Sequence, residues 1–204
     1  MTVLAASSLA LDFSGGGGYI RGTFENFGWE FDLSQSRTVD ALGLFDYGAN
    51  GLADAHEVGL WDSEGDLLAT AVITNSDPAT PSADPALGDW RFQSIAPITL
   101  AAGSYVIGAY YPTSADPFVG NATGIVTDPD VTYVEGRISP GVVLGFAEPQ
   151  GTFTGGDPGF LGPDFRLAAL PEPADWMLML GGCFGLGAAL RRARGKHPAA
   201  VLVA

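Results

Sequence analysis

Between Leu11 and Leu170 no stretch sustains the 3.6-residue apolar repeat of an amphipathic helix. Short runs rich in β-branched and aromatic residues recur instead, each closed by a turn. Glycine and proline supply the turns, at 29 and 14 of the 204 residues. Glycine gives up the most freedom on entering a helix, and proline removes a backbone donor, so a chain this dense in both breaks long helices before they form. Strands are expected over Tyr19–Asp32, with a break near Asn26–Gly28, and over Thr38–Phe45, Glu57–Asp62, Leu67–Thr74 and Trp90–Leu100. Others are expected over Ser104–Tyr111, Val131–Ile138, Val142–Phe146 and Phe165–Leu170. Gly65 and Asp66 mark a tight hairpin. Asn75–Asp89 and Pro112–Pro129 read as long loops, where binding usually resides. The pattern predicts an all-β chain: an antiparallel β-sandwich, jelly-roll-like, over residues 11–170, with a core of ordinary single-domain size.

Charge narrows the partners. All 23 acidic residues lie in Met1–Asp175, against five cations there: Arg21, Arg37, Arg91, Arg137 and Arg166. Such a domain repels phosphate backbones, which argues against nucleic acid. It suits a solvated acidic surface, or calcium at millimolar external concentrations. The single cysteine, Cys183, has no partner in the chain for a disulfide. It reads as a small apolar filler of the segment around it.

Both ends read as export signals. Residues 1–10 are apolar, then small, and Ser8-Leu9-Ala10 has the small-x-small pattern of a signal peptidase site, so this segment is expected to be the remnant of a signal peptide, the alternative being an ordinary first strand. At the other end Pro171-Glu172-Pro173 precedes an uncharged stretch, Trp176–Leu190, followed by Arg191, Arg192, Arg194 and Lys196. At ~1.5 Å per residue that stretch makes a helix of about 22 Å, short for a hydrocarbon core of ~30 Å. It is expected to insert as a single short transmembrane helix. The basic cluster keeps its end in the cytoplasm and the acidic domain outside.

This tripartite order over residues 171–196 resembles the PEP-CTERM sorting signal, also catalogued as an ice-binding-protein C-terminal domain. Residues 197–204 form a tail beyond it. The resemblance implies processing by an exosortase, a membrane peptidase of Gram-negative bacteria that make extracellular polysaccharide. It also implies transient residence at the inner membrane and a final place at the cell surface or outside it. Upstream, Phe24–Phe31, Ala41–Asp46 and His56–Asp62 resemble in order a β-rich extracellular domain found ahead of such signals. That likeness spans roughly Phe24 to Tyr111 and implies a fold and a location without an activity.

The most suggestive polar stretch is Asp46–Glu57. Set on a twelve-position calcium loop, Asp46 takes the first place, Asn50 the fifth, Gly51 the sharp turn, Asp54 the ninth and Glu57 the twelfth. Asp46, Asn50, Asp54 and Glu57 are therefore the expected ligands of a Ca²⁺, the one cofactor the sequence suggests. Gly48 at the third place offers no side chain, and the alternative is a glycine-turned connection with its polar groups in water. His56 is the only histidine before the C-terminal tail and no G-x-S-x-G elbow exists, so the residue reads as structural. Trp29, Trp61 and Trp90 alternate with apolar residues and read as core, whereas Tyr47 reads as an exposed binding aromatic. No spacing singles out a carboxylate pair. The function expected is that of a non-catalytic, exported surface or matrix protein, sorted by an exosortase and associated with extracellular polysaccharide. The alternatives are a glycan-acting enzyme, a calcium-dependent carbohydrate-binding module, and a coat component without a ligand.

Overall fold

The computed structural model describes residues 7–19, 24–141, 143–153 and 158–169, and none of these is helical. Pro171, Glu172, Pro173, the expected membrane helix, the basic cluster, Val142 and residues 1–6 lie outside the described residues. The strands are β1 (Ser8–Leu9), β2 (Leu11–Asp12), β3 (Gly15–Tyr19), β4 (Glu25–Leu33) and β5 (Arg37–Tyr47). Next come β6 (His56–Asp62), β7 (Leu67–Ile73), β8 (Ala79–Pro81), β9 (Gly88–Leu100) and β10 (Gly103–Tyr111). The last are β11 (Phe118–Thr123), β12 (Val126–Thr127), β13 (Val131–Ile138), β14 (Gly151–Thr152) and β15 (Pro163–Leu167).

Alternation with period two gives β4 one apolar face, Phe27, Trp29, Phe31 and Leu33, all buried. That face belongs to a six-stranded antiparallel sheet of order β14-β13-β4-β10-β6-β7. A five-stranded sheet, β1-β15-β5-β9-β8, packs against it. Phe165 of β15 joins the two, with ring centroids 4.6 Å from Phe31 and 6.0 Å from Trp29. The Trp29 indole N–H donates to the Pro163 carbonyl at 2.8 Å, so this buried polar tip is satisfied. Two-stranded ribbons, β11-β3 and β12-β2, complete the unit.

Ala41–Phe45 of β5 reads as an unbroken apolar run because both faces of the strand are buried there. Leu42 and Leu44 face the six-stranded sheet. Phe45, on the other side, meets Phe13 and Trp90 at centroid distances of 4.8 and 5.0 Å. This second cluster is closed by the segment carrying β2, and the Asp12 carboxylate there accepts from the Trp90 indole at 3.0 Å.

Most expected strands fall within two residues of those found. Four expectations are corrected. The break near Asn26–Gly28 is absent, since β4 runs through it with Gly28 opposite Gly108. The loop expected over Pro112–Pro129 holds β11 and β12, and the one over Asn75–Asp89 holds β8. Residues 143–146, expected to end a strand, form none.

Candidate functional site

Asp46 ends the buried run of β5 and is itself 1% exposed. A lone buried carboxylate would be costly, and Arg91 of β9 removes the cost with two nitrogens, each 2.8 Å from Oδ2. The Gly51 amide donates to both Asp46 oxygens, at 3.1 and 3.0 Å, folding the loop back on its first residue. Gly51 sits at φ +93°, as the sharp-turn reading required. The other expected calcium ligands are placed apart. Asn50 is exposed, Glu57 points outward from β6, and Asp54 accepts from the Thr113 hydroxyl. Among the described residues no three His, Cys, Asp or Glu side chains are gathered as a metal would need.

His56 opens β6 facing inward, fully buried. Its Nε2 lies 2.8 Å from Asp116 Oδ2, and its Nδ1 lies 3.0 Å from the Tyr110 carbonyl. Asp116 also accepts from the amides of Ala53 and Asp54, at 2.9 Å each. Burial pushes the Asp116 carboxyl up, but the His56 bond and these two amides outweigh it and hold it below the usual carboxylate value. The group staples the loop after β10 to the loop before β6. Both ring nitrogens of His56 are thus engaged inside the unit.

The outer face of the six-stranded sheet carries an arrangement the sequence did not announce. Gly28, Gly108 and Gly59 stand side by side on β4, β10 and β6. Together they cut a trench across three strands. A Cβ at Gly28 would lie 1.9 Å from the Ile107 carbonyl oxygen, one at Gly108 2.7 Å from Pro149, and one at Gly59 2.5 Å from Phe146. The Trp61 indole lies in the trench, 4% exposed, with Phe146 at a centroid distance of 5.2 Å. A strap of residues 143–150 crosses above. Asn26, fully buried, holds it with both ends of its amide: Nδ2 donates to the Gly145 carbonyl at 3.1 Å, and Oδ1 accepts from the Ala147 amide at 3.0 Å. Trp61 is therefore buried as expected, but outside the space between the sheets.

Beside the strap opens a cleft of about 290 Å³. Ser104 and Val106 of β10 and Glu30 of β4 are among its lining residues, with the β6–β7 turn (Asp62 to Gly65), and Glu148 and Gln150 of the strap. The turn is fixed by Asp62, whose Oδ1 accepts from the Glu64 and Asp66 amides at 3.0 and 2.9 Å. Arg137 of β13 pairs with Glu30, approaches Glu135 at 3.3 Å and donates to the Gln150 carbonyl at 3.2 Å. The cleft thus offers several fixed carboxylates, one cation, an amide and a hydroxyl in the open. Alternation along β4 and β10 could have shown which residues share this face. The strap that walls it returns to Asn26 from 119 and 121 positions away, and no spacing reveals that.

Each described arginine is engaged within the unit. Arg37 pairs with Asp128 at 2.7 Å and with Asp130, and Arg166 lies 4.2 Å from the Phe92 ring centroid. Tyr47 is half-buried beneath the β3 backbone, against Gly18, and so is less open than expected.

No known family matches the chain, and no curated protein matches it. Among solved structures it is similar to a family 35 carbohydrate binding module from an environmental isolate. Identity is 15%, the likeness covers 66% of this chain and 98% of that one, and the TM-score is 0.33. A likeness at that level decides neither fold nor ligand here.

Proposed function

We propose that this chain is an exported, non-catalytic surface protein whose sandwich associates with extracellular polysaccharide through the cleft on the outer face of the six-stranded sheet. The observation that carries the reading is the cleft itself. Its Glu30, Asp62, Ser104, Arg137, Glu148 and Gln150 surround an open floor. Sugar hydroxyls give up water only where donors and acceptors replace it, and this lining supplies both. Sorting rests on the sequence: Pro171-Glu172-Pro173, an apolar helix and a basic cluster are the parts an exosortase-type peptidase of the inner membrane would read. The jelly-roll-like winding belongs to the same proposal. β4 and β5 are consecutive yet lie in different sheets, with β10 and β13 flanking the first and β9 and β15 the second, as in a ribbon rolled on itself.

Affinity electrophoresis of the purified chain through gels holding neutral, acidic or amino-sugar polysaccharides tests binding. Retardation by at least one, lost on Glu148→Ala with Gln150→Ala, is expected; free migration through all of them would overturn it. Cleavage at the sorting motif is tested by mass spectrometry of the protein from its host, with a mature end near Pro173 expected and an intact Ala204 contradicting it. The competing reading is a glycan-acting enzyme, favoured by Glu30, Asp62, Glu64 and Glu148 sharing one cleft. It predicts new reducing ends on incubation with a polysaccharide.

A further inference from the structure

The cleft leaves unexplained a second feature, at the other end of the unit. β3 is four glycines and a tyrosine, Gly15 to Tyr19, paired with β11. A strand of glycine has no packing of its own and the highest entropy of ordering, so its form calls for a reason. Tyr19 supplies one. Its ring lies on the ribbon's backbone, where a Cβ at Gly17 would come 3.1 Å from Cε2 and one at Gly120 2.9 Å from Cδ2. Phe118, its partner across the ribbon, stacks at a centroid distance of 6.3 Å and 23° between planes. The Asn121 amide donates to the phenol oxygen at 2.7 Å. Asn121 takes a left-handed conformation, φ +49°, at the ribbon's irregularity. The ring is thus backed by glycine, fixed at its tip, and still 44% exposed.

A large exposed aromatic is ordinarily a loose side chain on a polar surface. Here the surface is shaped around the ring. Residues 13–19 and 118–127 carry no charge, in a chain of net charge −14. A rigid, flat, uncharged face of one ring's size fits the C–H face of a neutral pyranose. Among those residues nothing pairs with a uronate or an ammonium group.

We propose that Tyr19 is a second sugar-binding site, an aromatic shelf for a neutral pyranose of a polysaccharide, and that shelf and cleft let one chain bridge two glycan strands. The bridging half rests on the reading of the cleft given above. The cleft lies at the Ser104 end of β10. The ribbon packs at the Tyr111 end, where the Phe118 and Tyr111 centroids are 6.4 Å apart. Seven steps of ~3.3 Å from Ser104 to Tyr111 separate the two by roughly 23 Å, too far for one sugar ring and ample for two strands.

The test uses the purified full chain and a soluble neutral β-linked glucan. Retardation in a glucan gel and turbidity on mixing are expected of the unmodified chain. Tyr19→Ala should weaken binding about tenfold, the ~1.4 kcal/mol of one aromatic contact, and abolish turbidity. Tyr19→Phe should keep both, since the ring remains. Glucan should also perturb the tyrosine ultraviolet spectrum of the unmodified chain, and that signal should be absent in Tyr19→Phe, a readout independent of how well Tyr19→Ala folds. Unchanged affinity and turbidity in Tyr19→Ala, or a tyrosine spectrum that glucan leaves unmoved, would overturn the shelf while leaving the cleft standing. An unmodified chain that no polysaccharide retards would remove both.

Discussion

Asp164 is the residue whose replacement should tell most about what the fold tolerates. It is fully buried on β15, and neither carboxyl oxygen has a hydrogen bond of ordinary geometry among the described residues. Burial pushes its proton affinity up. The amides of Phe165 and Leu11 and the charge of Arg166 pull down, the nearby Asp12 carboxylate pushes up again, and the sum stands well above the ordinary carboxylate value. The sign follows directly. Unfolded, Asp164 releases its proton near the usual ~3.9; folded, it keeps it to a higher pH. Between those two points the native state holds one more proton than the unfolded state, so stability falls as pH rises, by ~1.4 kcal/mol per pH unit, until the folded value is passed. Asp164→Asn has the same shape and nothing to ionise. Urea unfolding of both proteins at steps of one unit from about pH 5 to about pH 7 measures the difference. The variant should gain on the parent as pH rises, with a slope approaching ~1.4 kcal/mol per unit that ends where Asp164 ionises in the fold. Two stability curves that run parallel from about pH 5 upward would refute the reasoning, because a carboxyl that ionises freely in the fold has no slope to lose.

At low pH the sign reverses. Asp116 and Asp128 are raised by burial but lowered further, by His56 and backbone amides in one case and by Ser8, the Asp130 amide and Arg37 in the other, and Asp130 is lowered chiefly by Gln35 and Arg37. The stability they contribute is present above ~3.9 and lost as pH falls through their folded values, and a midpoint that stays level there would contradict it. Asp46→Asn should cost up to about 3 kcal/mol by leaving the part-buried Arg91 without its counter-charge, read as a fall in the urea midpoint. Gly28→Ala should be worse tolerated than Gly108→Ala, since its Cβ meets backbone at Ile107 and the other meets side-chain atoms of Pro149 and Trp61; equal melting temperatures would count against a rigid trench. Because Asp46 is engaged by Arg91, millimolar calcium should leave the melting midpoint where chelator leaves it, and a rise would show that the loop reorganises around an ion.

Strand and turn were legible where one rule acted alone. Val58, Leu60 and Phe31 point inward as period two requires, and Gly65 at φ +85° turns the β6–β7 hairpin. Legibility failed where distant residues decide. Gly28 looked like an interruption because glycine weakens strands; the close backbone of Ile107 and Gly108 on β10 is what makes its lack of a side chain useful. The calcium pattern over Asp46–Glu57 had the right spacing, but Arg91 arrives from β9 and takes the first position. Tyr47 appeared open beside an acidic loop, and the glycine ribbon that half covers it begins 32 positions earlier. Nothing near Gly15 announces that β11 will pair with the glycine strand.

The placement of Trp61 has an optical consequence. Trp29 and Trp90 owe their burial to the sheets and to the Phe13 cluster, and they become exposed only when the fold opens. Trp61 is screened from water by eight residues of strap above a glycine floor. Its emission therefore reports on the outer face while Trp29 and Trp90 report on the interior; the fourth tryptophan, Trp176, lies outside the described residues and is replaced by phenylalanine for the measurement. Any event that lifts the strap without unfolding the sandwich should appear as a red shift and greater quenching by iodide, with circular dichroism unmoved. The chain thus carries, next to its cleft, a fluorophore already positioned to signal what happens there.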